Sequence, residues 1–234
     1  MGSRTTIAWT EATWNPWRGC HKVSEGCRNC YMYRLMKRWG QDPTRVERAG
    51  LRTFLSPLRW KKPRMIFTCS MSDFFIKEAD EWRDEAWGII RRTPQHTYQI
   101  LTKRPERIEQ CLPLDWGDGW PNVWLGVSAE THHAAIERLS ILERIPAVIR
   151  FVSCEPLLSP INVGLWPWLD WVIVGGESGP GYREMDLDWA RDIRDWCIAQ
   201  GIPFFFKQAS GPRPGLNPEL DGCRWQQYPR GVRA

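Results

Sequence analysis

The chain has 234 residues, 42% of them hydrophobic and 25% charged, with a net charge of +5. That is the composition of an ordinary folded chain, and it excludes collagen, coiled coil and intrinsic disorder. No run of about 18 apolar residues is present, so no membrane-spanning helix or membrane partner is expected. The opening stretch MGSRTTIAWTEATW lacks the apolar core of a signal peptide, and the expected compartment is cytoplasmic.

Charge is unevenly placed. Residues 1–64 hold 14 Lys and Arg against 4 Asp and Glu, and the other 170 hold 18 against 23. A concentrated positive field favours an anionic partner such as nucleic acid, although a solvated basic surface reads the same way. Trp is unusually frequent at 16 residues, and the eight Cys are irregularly spaced. A chain of this size with such spacing points to metal or redox use rather than a disulfide framework.

In chain order, a helix is expected over Tyr31–Trp39, then an irregular basic stretch over 40–64. Six β-type runs follow: Met65–Cys69, Thr97–Thr102, Val123–Ser128, Val148–Ser153, Trp171–Gly175 and Pro203–Lys207. Most are continuously apolar, which fits strands of a parallel sheet buried on both faces. Helices are expected between them over Glu78–Arg92, Thr131–Ile145 and Asp188–Gln200. Thr131 suits an N-cap, and Gly201 suits a stop. The apolar stripes are Ile136, Leu139, Leu142 and Ile145 in the second helix, and Trp189, Ile193, Trp196 and Cys197 in the third. The alternation predicts an α/β fold. Six strands, with room for a seventh ahead of Cys20, predict a partial TIM barrel of six or seven parallel strands with an N-terminal Cys-rich loop. A doubly wound sheet is the alternative. One domain over 1–234 is expected: a basic segment (1–64), strand–helix repeats (65–208) and a tail (209–234).

The sharpest motif is Gly19-Cys20 through Gly26-Cys27-Arg28-Asn29-Cys30-Tyr31, with spacing C-x6-C-x2-C. Glycines ahead of Cys20 and Cys27 let the loop turn tightly. Electron-transfer clusters usually take four Cys, and structural zinc sites close with four ligands. Three thiolates leave one position open, which suits a [4Fe-4S] cluster with one iron free for a small molecule. His21 completing a Cys3His zinc site, a distant Cys (Cys69, Cys111, Cys154, Cys197 or Cys223) supplying a fourth ligand, and three unligated thiols are the competing readings.

The motif ahead of a parallel α/β pattern resembles the radical S-adenosylmethionine (SAM) superfamily, especially its spore-photoproduct-lyase-like branch. More closely, the chain resembles a phage and bacterial family of unassigned function that carries a three-Cys motif. The matching segments include IAWTEATWNPWRGC (7–20), GCRNCY (26–31), PLRWKKPRMIFTCSMSDFF (57–75), YQILTKRPER (98–107), RFVSCEPLL (150–158) and DWVIVGGESGPG (170–181). The resemblance implies a [4Fe-4S] cluster on Cys20, Cys27 and Cys30, a partial barrel, and SAM bound at the open iron. The first Cys spacing is three residues longer than the C-x3-C-x2-C usual in radical SAM enzymes, which keeps a cluster enzyme without SAM in view.

Polar residues gather just beyond the expected strands, where barrel enzymes place their sites. By the same resemblance, Ser70 and Asp73 stand where a SAM amino group is met. Lys103 and Arg104 follow the second run and suit a carboxylate or phosphate. Ser128 and Glu130 follow the third, Glu155 the fourth, Glu177 the fifth, and Lys207 closes the sixth. A carboxylate just past an apolar strand is rarely there for packing, because burying it unpaired is expensive. Ser70, Asp73, Ser128 and Glu130 are therefore cofactor-binding candidates. Glu155, Glu177, Lys103 and Lys207 are catalytic candidates, with internal ion pairs as the plainer reading. Gly175–Gly181 is a Gly-rich turn able to approach a cofactor. Cys154 reads as a buried structural thiol. Trp14 and Trp17 would shield a cluster or line a pocket. The expected function is an iron–sulfur enzyme of radical SAM type acting on nucleic acid or a nucleotide, served by an outside reductant and open to a partner protein. The alternative is a metal-stapled, non-catalytic nucleic-acid-binding module.

Overall fold

Seven β-strands hydrogen-bond side by side in one sheet, and a computed structural model describes them within residues 5–229. The first four residues of the opening stretch and the last five of the 209–234 tail lie outside the described residues. The described chain divides into two compact units, one of residues up to 23, 30–125 and 145–148, the other of 24–29, 126–144 and 149 onward.

The first unit begins with β1 (Ala12–Trp14), the strand for which the sequence left room. The two-residue strands β2 (Trp17–Arg18) and β3 (Glu47–Arg48) pair antiparallel on their own. Between them lies α1 (Tyr31–Arg38). The basic stretch is less irregular than expected, since it contains β3 and the short α2 (Leu51–Phe54). Then come β4 (Met65–Thr68), α3 (Asp80–Arg91), β5 (Thr97–Thr102), α4 (Ile108–Cys111) and β6 (Val123–Ser128), whose last three residues belong to the second unit. Pairing of β1 with β4 and of β4 with β5 is parallel.

The second unit adds α5 (His132–Leu142), β7 (Ile149–Cys154), β8 (Trp171–Gly175), α6 (Leu187–Gln200) and β9 (Phe204–Gln208). Here β7–β8 and β8–β9 are parallel. The sheet order β1-β4-β5-β6-β7-β8-β9 advances in one direction. A doubly wound sheet would reverse at a switch point, so this order is that of the expected partial barrel.

Local chemistry sets the helix ends. The Thr131 side chain accepts from the Ala134 N–H at 3.2 Å, and Gly201 ends α6 in the left-handed region at φ 68°. The buried faces differ from the expected stripes. Ile136 is exposed, and α5 instead buries Ala134, Ala135, Arg138, Leu139 and Leu142. Arg138 turns inward because a carboxylate waits for it. In α6 the buried residues are Ala190, Ile193 and Cys197, with Trp189 and Trp196 half-buried. Much of the Trp excess is core packing: Trp17 lies 5.2 Å from Phe74 in the first unit, and Trp171 lies 5.6 Å from Phe151 in the second. No helix among the described residues is long and apolar enough to cross a membrane.

Candidate functional site

Cys20 and Cys30 belong to the first unit. Gly19 sits at φ 90°, and a Cβ there would lie 2.1 Å from the Arg45 carbonyl oxygen, so only glycine admits this turn. Its N–H donates to the Met71 carbonyl at 3.1 Å, and Ser72 Oγ donates to its carbonyl at 2.6 Å. Cys30 immediately precedes α1. Tyr31 Oη in that helix donates to the Ser70 carbonyl, and Tyr33 Oη donates to the Cys20 carbonyl. Met32 and Met36 of α1 meet Met71 in a buried cluster, against which both Cys20 and Cys30 pack. Cys69 turns the chain out of β4 at φ 64°, an unusual conformation for a side-chain-bearing residue, and presents the Ser70–Asp73 segment.

Asp73 is buried, and four donors engage its carboxylate: the Phe75 N–H at 3.0 Å, Thr102 Oγ1 at 2.7 Å, the Lys103 N–H at 3.0 Å and Arg104 Nη1 at 3.2 Å. Arg104 Nη1 also lies 3.6 Å from Cys20 Sγ, and its Nη2 donates to the His21 carbonyl at 2.8 Å. Burial works to lower the Arg104 pKa, but Asp73 and Cys20 together outweigh it and raise it, so the cation is secure. The His21 ring faces Glu78 Oε1 at 2.9 Å.

Cys27 belongs to the second unit, where it ends a single 3-10 turn, Glu25–Cys27. Gly26 has no room for a side chain, since a Cβ would lie 2.9 Å from Glu130 Cδ. Its N–H donates to Glu130 Oε1 at 3.3 Å. Glu130 is held by Arg138 Nη1 at 2.8 Å, which also donates to the Ser128 carbonyl at 2.7 Å. On the other side, Asn29 Nδ2 donates to Glu177 Oε2 at 2.9 Å and to the Gly181 carbonyl at 2.9 Å. Arg183 clamps Glu177 through Nε at 2.9 Å and Nη2 at 2.5 Å, and reaches Glu25 Oε1 at 3.2 Å. Burial works to raise the Glu177 pKa, but the hydrogen bonds from Arg183 and Asn29 outweigh it and lower it. Glu130 and Glu177 thus grip the segment that carries Cys27.

Glu155 and Lys207 meet elsewhere in this unit. Lys207 Nζ lies 2.7 Å from Glu155 Oε1, and Ser153 Oγ donates to Oε2 at 3.0 Å. This is an ion pair of the kind that the sequence left open, with both members half-buried. Lys103 uses its main-chain N–H on Asp73, and its ammonium makes no ion pair among the described residues. Burial pushes the Cys154 thiol far up, as befits a structural cysteine. In the Gly-rich turn, the Gly176 N–H is taken by the Gln208 carbonyl at 2.9 Å. Trp14 and Trp17 are core residues that donate to the carbonyls of Phe54 and Asp73, each at 3.0 Å.

The sequence reading missed Arg138, Arg183, Asn29 and the three methionines. Inward helical spacing for Arg138, opposite an acidic strand end, was the one available signal. As for a metal centre, Cys20, Cys27 and Cys30 are half-buried thiols, none of them in a disulfide. No three His, Cys, Asp or Glu side chains among the described residues converge on one ion. Soft thiolates over thioethers, with a guanidinium beside one sulfur, are a donor set that fits iron–sulfur chemistry.

No curated protein and no solved structure matches the chain. One family model, described as a protein of unknown function (DUF5131), matches residues 4–229. That match spans nearly the whole sequence, and the chain therefore belongs to the DUF5131 family.

Proposed function

We propose that the protein is an iron–sulfur enzyme of the radical SAM type, with a [4Fe-4S] cluster on Cys20, Cys27 and Cys30, one iron open to SAM, and a nucleic acid or nucleotide as substrate. One observation carries the reading: Cys20 and Cys30 rest on one methionine cluster, and Arg104, seated by Asp73, points its guanidinium at the Cys20 sulfur. When bound, such a cluster supplies one-electron chemistry, with electrons from an outside reductant.

The chain's own groups then divide the work. Met32, Met36 and Met71 give Cys20 and Cys30 an apolar support. Arg104 donates to Cys20 Sγ, and a hydrogen bond to that sulfur would raise the potential of a cluster held there. Asp73, Glu130 and Glu177 are positioning residues that fix the cysteine loop, and Ser128 shares the same Arg138 clamp. Ser70 supports the loop through its carbonyl and keeps its hydroxyl on Asn15, 3.0 Å from Nδ2. Glu155 and Lys207 can bind a polar substrate group or pass a proton between Oε1 and Nζ.

Low-temperature EPR on anaerobically purified, dithionite-reduced protein tests this. The expected result is a [4Fe-4S]+ signal that shifts when SAM is added. A cluster signal indifferent to SAM overturns the SAM assignment. Stoichiometric zinc without iron overturns the cluster and supports the metal-stapled binding module.

A further inference from the structure

A cleft of about 640 Å³ opens in the first unit beside the end of β1. Asn15 lines it from the sheet, and Arg52, Thr53, Ser56, Arg59 and Trp60 line it from the stretch around α2. No carboxylate lines it. Among the described residues, Arg52 and Arg59 make no ion pair, whereas Arg48, Arg83, Arg104, Arg138 and Arg183 each do. Arg59 Nη2 donates to the Arg52 carbonyl, which ties the two arginines into one surface. Residues 49–64 carry five cations and no acid. Exposed Lys61 and Lys62 continue the positive charge beyond the cleft.

We propose that this cleft binds the phosphodiester backbone of a single-stranded nucleic acid. Two guanidinium forks without carboxylate partners match phosphate oxygens, and the Thr53 and Ser56 hydroxyls add donors. Trp60 provides an aromatic wall of the kind on which unpaired bases rest. The volume falls in the range of about 300–1,000 Å³ usual for ligand-binding clefts. Lys61 and Lys62 lie outside the cleft lining, so the cationic track is longer than a mononucleotide needs.

Asn15 joins the cleft to the cysteine site. Its Oδ1 accepts the Met71 N–H at 2.7 Å, and Met71 belongs to the cluster beneath Cys20 and Cys30. A strand held by Arg52 and Arg59 therefore lies one side chain away from the thiols' apolar support. The inference deepens the nucleic-acid part of the proposed function and does not require the cluster.

Fluorescence anisotropy with a labelled 12-nucleotide oligo(dT), on the anaerobically purified full chain with iron and sulfide assayed in the same sample, tests it. The variant Arg52→Gln/Arg59→Gln is expected to bind about tenfold more weakly or worse. Its log–log salt slope should be shallower by about 1.4, the loss of two phosphate contacts on a single strand. Ser56→Asp should weaken binding similarly while leaving both guanidiniums in place. The charge-matched control Arg92→Gln/Arg144→Gln should change binding by less than about threefold. Absence of binding by the parent protein at low salt, or equal losses in the cleft and control variants, overturns the site. A mononucleotide that competes as well as the strand overturns the strand assignment. Iron and sulfide retained alongside lost binding separates failure here from failure of the cluster.

Discussion

Cys20 with Cys30 in the first unit, and Cys27 in the second, are secured by the same device used to different ends. In both, a carboxylate just past a strand holds an arginine: Asp73 with Arg104, Glu130 with Arg138, Glu177 with Arg183. In the first unit the arginine goes on to the Cys20 sulfur. In the second, both arginines stop at main-chain carbonyls and carboxylates, and the carboxylates grip Gly26 and Asn29. A buried ion pair is weak grounds for stability by itself. Under the proposed function, the contrast gives the Asp73–Arg104 pair an electronic role and the other two pairs a geometric one. Those roles have separable signatures.

The largest effect belongs to the buried pairs. Glu130→Ala strands the Arg138 guanidinium, whose side chain is 6% exposed. It should cost about 3–5 kcal/mol in chemical denaturation, and Asp73→Ala should fall in the same range. The apolar replacement Glu130→Leu/Arg138→Met should recover most of that loss. A cost below about 1 kcal/mol for Glu130→Ala would contradict the account.

Next come the two glycines. Gly19→Ala places Cβ against a backbone carbonyl at positive φ, while Gly26→Ala meets the Glu130 side chain, which Arg138 holds in place. About 1–3 kcal/mol is expected for each, with Gly19→Ala the larger. In a Glu130→Ala background the Gly26→Ala cost should fall, since only the Cβ contact at 3.2 Å remains, and a double-mutant cycle reads that coupling directly.

Smaller still, and the sharpest test of the contrast, is Arg104→Lys beside Arg183→Lys. The first should move the EPR signal or the cluster's potential while iron is retained. The second should leave both unchanged, its loss of the two-pronged grip on Glu177 showing only in stability. The smallest effect is in pH. The folded-state pKa of Glu177 is lowered, so its stabilisation is present above its unfolded value of about 4.3 and is lost as pH falls through the folded value. Melting temperature from pH 6 to 3 should show a shallower acid limb in Glu177→Gln. An unchanged limb would remove Arg183 and Asn29 as the stabilising partners.

The strands were legible because most are continuous apolar runs. Thr97–Thr102, Val123–Ser128 and Trp171–Gly175 match the structure residue for residue, and the others shift by one. Helical faces were less legible, because hydrophobicity alone placed Ile136 inward. The exposed Ile136 and the buried Arg138 show a charge pair overriding the apolar pattern. The carboxylates at the strand ends stood out for a sound reason, the expense of burying charge. Their partners did not, because Glu130 to Gly26 and Glu177 to Asn29 are contacts across more than a hundred residues of chain. The cysteine motif was visible at once. Its methionine support was not, since nothing in the sequence brings Met71 to Met32 and Met36.

The central claim is that the three cysteines hold one iron–sulfur cluster. Iron and acid-labile sulfide, measured after anaerobic purification of the parent chain and of Cys20→Ala/Cys27→Ala/Cys30→Ala, test it most directly. The account predicts about four iron and four sulfide per parent chain, and essentially none in the triple variant. A triple variant that keeps its full iron and sulfide, or a parent chain that holds zinc alone, would contradict it.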